Sequence, residues 1–336
     1  MHEAMLWEKL GEGKVHCFLC AHHCKILHGK RGICGVRENV GGKLYTLVYD
    51  RVIARNVDPI EKKPLFHFQP GSFSFSIATP GCNFRCLHCQ NADISQMPHD
   101  AHIIMGEPIS PETLVDTAKR ANCKSISYTY TEPTIFFELA YDTAKLAARE
   151  GLKNVFVTNG YITREALETI RPYLHAANID LKSFSDAFYR KVCGARLEKV
   201  LEAIRLYHEF GIWIEVTTLV IPGHNDSPDE LKAIAGFIAS VDKAIPWHVT
   251  QFHPTYKLTD QPRTPVETLR MAREIGLAAG LKYVYEGNVP GEGGENTYCP
   301  VCKKLLIKRY GYIISEKNIR GGACAYCNAP LDGVDI

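Results

Sequence analysis

No uninterrupted apolar stretch in this 336-residue chain reaches the roughly 18 residues that cross a bilayer, so the sequence offers no membrane span. The first residues, MHEAMLWEKLGEGK, also lack the basic region and apolar core of a secretory signal, which makes a cytoplasmic protein the expectation. A dominant charge is missing as well. Lys and Arg number 39 against 37 Asp and Glu, a formal charge of +2, so there is no broad field for gripping nucleic acid or an anionic membrane. Internal repeats and low-complexity segments are absent too. What remains, 46% hydrophobic and 23% charged, is globular composition and excludes wholesale disorder. At ~150 residues per domain, the length suggests about two domains, or one large α/β domain with appendages.

Cysteine is what the chain has in plenty. The 13 cysteines form three clusters: Cys17, Cys20, Cys24 and Cys34; Cys82, Cys86 and Cys89; and Cys299, Cys302, Cys324 and Cys327. Cys123 and Cys193 stand apart and read as small packed side chains. In a reducing compartment such tight spacing implies metal or redox chemistry rather than disulfides.

Between residues 72 and 289, seven β-rich runs alternate with amphipathic helical stretches. The runs are SFSFSIAT (72–79), SISYTYT (125–131), NVFVTN (154–159), ANIDLKSF (177–184), IWIEVTTLVI (212–221), HVTQFH (248–253) and KYVYEGNV (282–289). Gly151 and Gly211 close two of the helical stretches as C′ residues. SPDE (227–230) and TPVE (264–267) have the form of capping boxes with proline at the first helical position. Repeated strand–helix units predict α/β architecture with parallel strands and right-handed crossovers, hence a partial or nearly complete (β/α) barrel. Residues 71–290 form that barrel, 1–70 a cysteine-rich module with its lead-in, and 291–336 a zinc-ribbon-like module. Ends this short bury too little apolar surface to fold unaided, so metal staples are expected there.

TPGCNFRCLHCQN (79–91) follows the first barrel strand directly, on the face where active sites of parallel barrels are built. Cys82, Cys86 and Cys89 can bind three irons of a cubane from one short loop and leave the fourth open, whereas an electron-transfer cluster has four cysteines. An open position marks a metal site that does chemistry. The alternative is zinc, with His88 or His67 as fourth ligand. CPVC (299–302) and CAYC (324–327), 21 residues apart around a possible hairpin, read as a four-cysteine zinc ribbon, with a second iron–sulfur cluster as rival. Cys17, Cys20, Cys24 and Cys34 are less regular. His16, His22 and His23 compete as ligands there, and zinc and iron–sulfur remain equal alternatives.

With these residues in view, CNFRCLHC after a strand resembles the radical S-adenosylmethionine (SAM) superfamily. DPIEKKPLFHFQPG (58–71) and CQN are similar to its pyruvate formate-lyase activating enzyme branch. The whole pattern, including YVYEGNVPG (283–291) and the C-terminal ribbon, resembles the radical SAM enzyme of the AmmeMemoRadiSam system. The resemblance implies an enzyme that uses a [4Fe–4S] cluster to cleave SAM reductively to methionine and a 5′-deoxyadenosyl radical. That radical abstracts hydrogen from a substrate that is not assigned. A glycyl-radical enzyme activase is the alternative reaction, and a zinc-binding adaptor the alternative without catalysis. A flavodoxin- or ferredoxin-like electron donor and partner proteins of the same system are implied as partners.

The resemblance also implies SAM contacts. Tyr130, Thr131 and Glu132 stand where the family has a Gly-Gly-Glu-Pro-like motif, so two glycines are replaced here. Glu132 would accept from the SAM amino group, unless it serves as a helix N-terminal carboxylate before Pro133. Thr158, Asn159, Asp180 and Lys182 fall at strand ends that bind the SAM carboxylate, ribose and a monovalent cation. Asp180 and Lys182 alternatively form a buried pair, since period-two alternation points both the same way. Val157 departs from an Asp common in the branch, and Thr217 from an arginine. His88 takes the aromatic position beside adenine, His253 resembles a SAM-contacting histidine, and Cys193, if it faced the mouth, would quench or relay a radical.

Overall fold

The alternation of β-rich and helical runs becomes, in the computed structural model of residues 1–336, a run of parallel strands in sequence order. An eighth strand, β1 (Ala54–Pro59), lies antiparallel to β2 (Phe73–Ala78), with Ala54 opposite Ala78 and Pro59 opposite Phe73. Then follow β3 (Ser125–Tyr128), β4 (Lys153–Thr158), β5 (Ala176–Asp180), β6 (Trp213–Val220), β7 (Trp247–Gln251) and β8 (Val284–Gly287), each parallel to its predecessor. β1 and β8 are unpaired edges, so the barrel is partial. Helices α1 (Pro111–Arg120), α2 (Phe137–Arg149), α3 (Arg164–Ile170), α4 (Leu197–Glu209), α5 (Pro228–Val241) and α6 (Val266–Ala278) fill the crossovers. Their buried faces and the strands share one large apolar core. No helix is long and apolar enough to cross a membrane.

Local signals act as the residues dictate, with two corrections, since neither SPDE nor TPVE forms a full capping box. Gly151 and Gly211 take positive φ just beyond α2 and α4. Ser227 Oγ accepts from Glu230 N at 3.3 Å to cap α5. Glu230 does not return the bond, because Ser183 Oγ and Phe184 N occupy its carboxylate at 2.5 Å each. TPVE is not a capping box. α6 starts after Pro265 with no side-chain cap, and the buried Thr264 hydroxyl ties strand ends together, accepting from Phe252 N and donating to Val220 O.

Gly276 inside α6 is fixed by packing. A Cβ there would sit 2.8 Å from Val284 and 2.9 Å from the Trp247 ring. Gly→Ala normally gains about 1 kcal/mol in a helix, but overpacking costs roughly 1–3, so Gly276→Ala is expected to lower stability by up to about 2 kcal/mol. Urea denaturation checks this; a gain in stability would mean that Trp247 yields freely.

The lead-in threads under the barrel. Glu215, fully buried on β6, accepts from Phe66 N, His67 N, Trp213 Nε1 and His248 Nε2. Arg309 of the C-terminal module lies 4.2 Å over the Phe66 ring and donates to Phe66 O, which locks that module to the same floor. His67 bridges all three parts, with Nδ1 2.7 Å from Asp332 O and Nε2 2.6 Å from the Tyr285 hydroxyl. Burial lowers its pKa to about 4. The unfolded chain, with histidine near 6.5, therefore binds the proton first. Stability from His67 is full above about 6.5 and falls by roughly 3 kcal/mol as pH drops toward 4. His67→Asn should flatten that acid slope in denaturation curves at pH 7 and 4.5; an unchanged slope would refute the buried neutral ring.

Candidate functional site

Loops that follow parallel strands collect at one edge of the sheet, and here they surround a cavity of about 490 Å³. β2 runs out at Ala78 straight into the three-cysteine loop. Gly81, at φ 106°, permits the entry turn: a Cβ on it would meet Val36 at 2.7 Å. Cys82, Cys86 and Cys89 all line the cavity. Phe84 N donates to Cys82 Sγ at 3.3 Å, and Ser95 Oγ lies 3.1 Å from Cys89 Sγ. From behind, Cys193 O and Val192 O accept from Arg85 N and Leu87 N.

Cys193 is therefore beside the loop and not at the mouth. Its sulfur, the Cys86 sulfur and a His88 ring nitrogen lie within 4.8 Å of one another, yet Cys193 is fully buried and lines no part of the cavity. The neighbouring Cys193 thiol lowers the Cys86 pKa against the opposing effect of burial, and Lys182 adds to the lowering.

Spacing bears on which metal suits these thiols. Zinc–sulfur bonds near 2.3 Å set tetrahedral sulfurs about 3.8 Å apart. In the C-terminal module Cys299 and Cys327 are 3.7 Å apart, as are Cys302 and Cys324, and all four sulfurs lie within 4.8 Å of one another. Cys82, Cys86 and Cys89 do not gather in this way. His67 has both ring nitrogens engaged elsewhere, so it is no fourth ligand. Three thiols on one cavity wall, spread beyond tetrahedral contact, suit the separate irons of a cubane.

The other walls come from the ends of β3, β4 and β5. Glu132, buried, accepts from Thr134 N, Thr134 Oγ1 and Thr158 Oγ1 through one carboxylate oxygen and from Asn159 N through the other. It caps the short turn Pro133–Phe136 and also lines the cavity, with an acceptor site left on the second oxygen. Burial raises its pKa despite these bonds. Asn159 reaches Cys82 Sγ at 3.8 Å.

Asp180 and Lys182 point the same way and pair at 2.8 Å. Burial works against the Lys182 charge, but Asp180 and Cys86 outweigh it and raise the pKa. Since Lys182 is already the counter-charge and Val157 has no ligand atom, nothing here supports a monovalent cation. His88 is held neutral, lowered to about 3 by burial and then by Lys182. Its Nδ1 is buried without a protein partner in the cavity wall.

Tyr130 replaces a glycine yet keeps a glycine-like backbone, at φ 62°. Its ring is held aside: the hydroxyl donates to Asp58 Oδ2 at 2.5 Å, and Lys63 Nζ sits 4.6 Å from the ring centroid. Thr131 Oγ1 donates to Thr79 O. His253 is not brought to the cavity. β7 ends at Gln251, and His253 is exposed on the turn beyond it. In its place Thr250 and Asn288 line the wall.

Sequence reasoning noted Thr217 only as a missing arginine; its hydroxyl is buried, unpartnered and in the cavity lining. Tyr312, at the tip of the hairpin Leu305–Tyr310 and Ile313–Lys317, reaches the mouth from the C-terminal module, which no local signal announced.

A profile described as the radical SAM superfamily matches residues 76–238. The chain is 50% identical over 335 residues to the uncharacterized protein MJ0808 of Methanocaldococcus jannaschii, covering 99% of each chain. It is 24% identical over 210 residues, 61% of this chain and 78% of the other, to MJ1632 of the same organism, provisionally named a glycyl-radical enzyme activating enzyme. Among solved structures, a radical SAM methyltransferase from Sphaerobacter thermophilus superposes with TM-score 0.50 at 14% identity, over 69% of this chain and 70% of that one, a likeness of fold alone.

Proposed function

The chain belongs to the radical SAM superfamily, and from that premise we propose that it binds a [4Fe–4S] cluster on Cys82, Cys86 and Cys89 and uses SAM to abstract hydrogen from its substrate. The observation that carries this reading is the placement of three thiols from one loop on the wall of a cavity that Glu132, Asp180 and Lys182 also line. When bound, cluster and SAM supply a 5′-deoxyadenosyl radical, chemistry that belongs to the cofactors.

The chain's own residues do the rest. Lys182 offers a cation to a carboxylate, and Asp180 holds that ammonium in place. Glu132 fixes Thr158 and Asn159 at the end of β4 and keeps an acceptor for an ammonium. The neutral His88 ring, with an unpartnered Nδ1, gives adenine a flat wall and one polar contact. Tyr130 and Thr131 complete the edge nearest β2, and Lys63 and Pro64 line the cavity from the lead-in.

We assign zinc to Cys299, Cys302, Cys324 and Cys327 as a structural site, on the 3.7 Å sulfur pairs. Tyr130, Val157 and Thr217 depart from the sequence pattern that the resemblance to glycyl-radical activases implies, and Tyr312 stands at the mouth of the same cavity. The substrate in this reading is a different protein, peptide or small molecule, brought by partner proteins, with a flavodoxin- or ferredoxin-like electron donor. Activation of a glycyl-radical enzyme is the second reading, favoured by the likeness to MJ1632.

Protein reconstituted anaerobically with iron and sulfide should release 5′-deoxyadenosine when reduced with dithionite in the presence of SAM. Deuterium from labelled candidate partners should then appear in that product. A central loop that holds only zinc, with no SAM cleavage, would sink the proposal. A glycyl radical formed on a partner enzyme would exchange the first reading for the second.

A further inference from the structure

The N-terminal cysteines form a third set, whose geometry differs from that of the ribbon. Cys17 and Cys24 are directly opposed on the antiparallel strands Val15–Cys17 and Cys24–Ile26. Cys20 lies on the turn between them, and Cys34 returns on the following loop. Gly32 approaches Cys24 so closely that a Cβ there would lie 3.6 Å from its sulfur. Gly35 N donates to Gly32 O, which closes the turn that carries Cys34 beside this hairpin. Arg37 donates to Cys17 Sγ at 3.1 Å, a cation placed beside the thiols.

Yet no three of these sulfurs lie within 4.8 Å of one another, as they do in the ribbon. They share that wider spread with Cys82, Cys86 and Cys89. His16, His22 and His23 do not complete a zinc site, since none of them joins two of these sulfurs within 4.8 Å. His22 Nε2 is 2.8 Å from Asn83 O, and His16 Nδ1 is 2.8 Å from Glu8. Four cysteines on one hairpin and the turn beside it, with sulfurs too dispersed for one tetrahedral ion, match the closed, four-cysteine set of an electron-transfer cubane.

The module also rests on the central loop. Val36 and Cys34 O pack against Gly81, the residue before Cys82. His22 contacts Asn83 O, the residue after it, and Ala21 N donates to Tyr161 O, whose ring meets Phe84 edge-on at 5.2 Å. Chain segments bearing Cys20 and Cys34 thus touch both neighbours of Cys82.

We propose that Cys17, Cys20, Cys24 and Cys34 hold a [4Fe–4S] cluster that passes electrons to the cluster on Cys82, Cys86 and Cys89. The relay part rests on the function proposed above. One electron enters from a low-potential one-electron carrier of the flavodoxin or ferredoxin class. The N-terminal cluster is reduced and reoxidised as the central cluster is reduced, and no bond or proton changes hands.

Full-length protein purified anaerobically should contain about eight irons and eight sulfides per chain. The variant with Cys82, Cys86 and Cys89 all changed to Ala should keep about four of each, with a reduced-cluster electron paramagnetic resonance signal that SAM does not shift. That variant losing all iron while zinc rises to about two per chain would overturn the site. The variant Cys20→Ser with Cys34→Ser should keep about half the iron and a SAM-shifted signal under dithionite. A reduced ferredoxin-type donor should no longer reduce it, and undiminished reduction would overturn the relay. If that variant instead loses all iron, the central loop carries no cluster and the proposed function fails, while the N-terminal site stands.

Discussion

Replacing Cys82, Cys86 and Cys89 together by alanine is expected to abolish 5′-deoxyadenosine formation while the barrel remains folded. The loss should be complete because nothing nearby substitutes for the three thiols. Cys193, grouped with Cys86 and His88 within 4.8 Å, lies behind the loop and lines no part of the cavity. The fold should survive because the loop is held by its backbone. Gly81 N, Arg85 N and Leu87 N donate to Ile94 O, Cys193 O and Val192 O, bonds that do not involve the sulfurs. Truncating a partly buried thiol costs on the order of 1 kcal/mol, which the apolar core can absorb. Product chromatography after dithionite reduction reads the activity, and circular dichroism reads the fold. Undiminished 5′-deoxyadenosine would remove the three-cysteine loop from the reaction. Lys182→Met makes the graded comparison: iron should be retained, with SAM binding weakened, because only the cation beside Asp180 is lost.

The parallel strands were legible because strands buried on both faces must be nearly continuous apolar or small residues, and SISYTYT and NVFVTN are. β1 was not. ARNVDP is polar and mostly exposed along its length, and it pairs only as an antiparallel edge. The site was legible for the same reason as the strands, since CNFRC, YTEP, VTN and IDLK each lie at the end of a strand or in the loop that follows it.

What stayed hidden depends on contacts remote in sequence. Tyr130 reads as a lost glycine until its ring is seen pinned by Asp58 and Lys63, some 70 residues earlier, with the backbone still in the left-handed region. TPVE has the letters of a capping box, but Thr264 spends its hydroxyl on two strand ends. His253 was placed at a strand end by pattern, and a two-residue difference in where β7 stops turns it outward. Metal identity is hidden in spacing alone, because Cys-x-x-Cys pairs serve zinc and iron–sulfur alike, and only the separation of the sulfurs in space distinguishes the ribbon from the other two sets.

Glu138→Ala is expected to cost about 3–5 kcal/mol, the loss typical of leaving one member of a buried ion pair without its partner. Glu138 lies in the first turn of α2, where the helix dipole favours a carboxylate. One of its oxygens accepts from Arg37 Nη2 and from Met5 N, and both side chains of the pair are almost entirely buried. Arg37 in turn reaches Met5 O and Cys17 Sγ. Burial opposes the guanidinium charge, but Glu138, Cys17 and Cys34 together outweigh it and raise the pKa. Removing Glu138 strands that charge, leaves Met5 N without an acceptor, and loosens the N-terminal module from α2. The double variant Arg37→Met with Glu138→Leu removes both charges and should recover most of the stability, since an apolar pair of similar volume is often neutral. Urea denaturation of the single and double variants gives the coupling directly. A single-variant loss below about 1 kcal/mol would mean that water reaches Arg37 and that the pair is not the clasp it is taken for. The two variants also separate docking from chemistry. Because Arg37 is the cation beside Cys17, the double variant should be stable yet hold the N-terminal metal less tightly, whereas simple loss of docking would lower stability and metal content together.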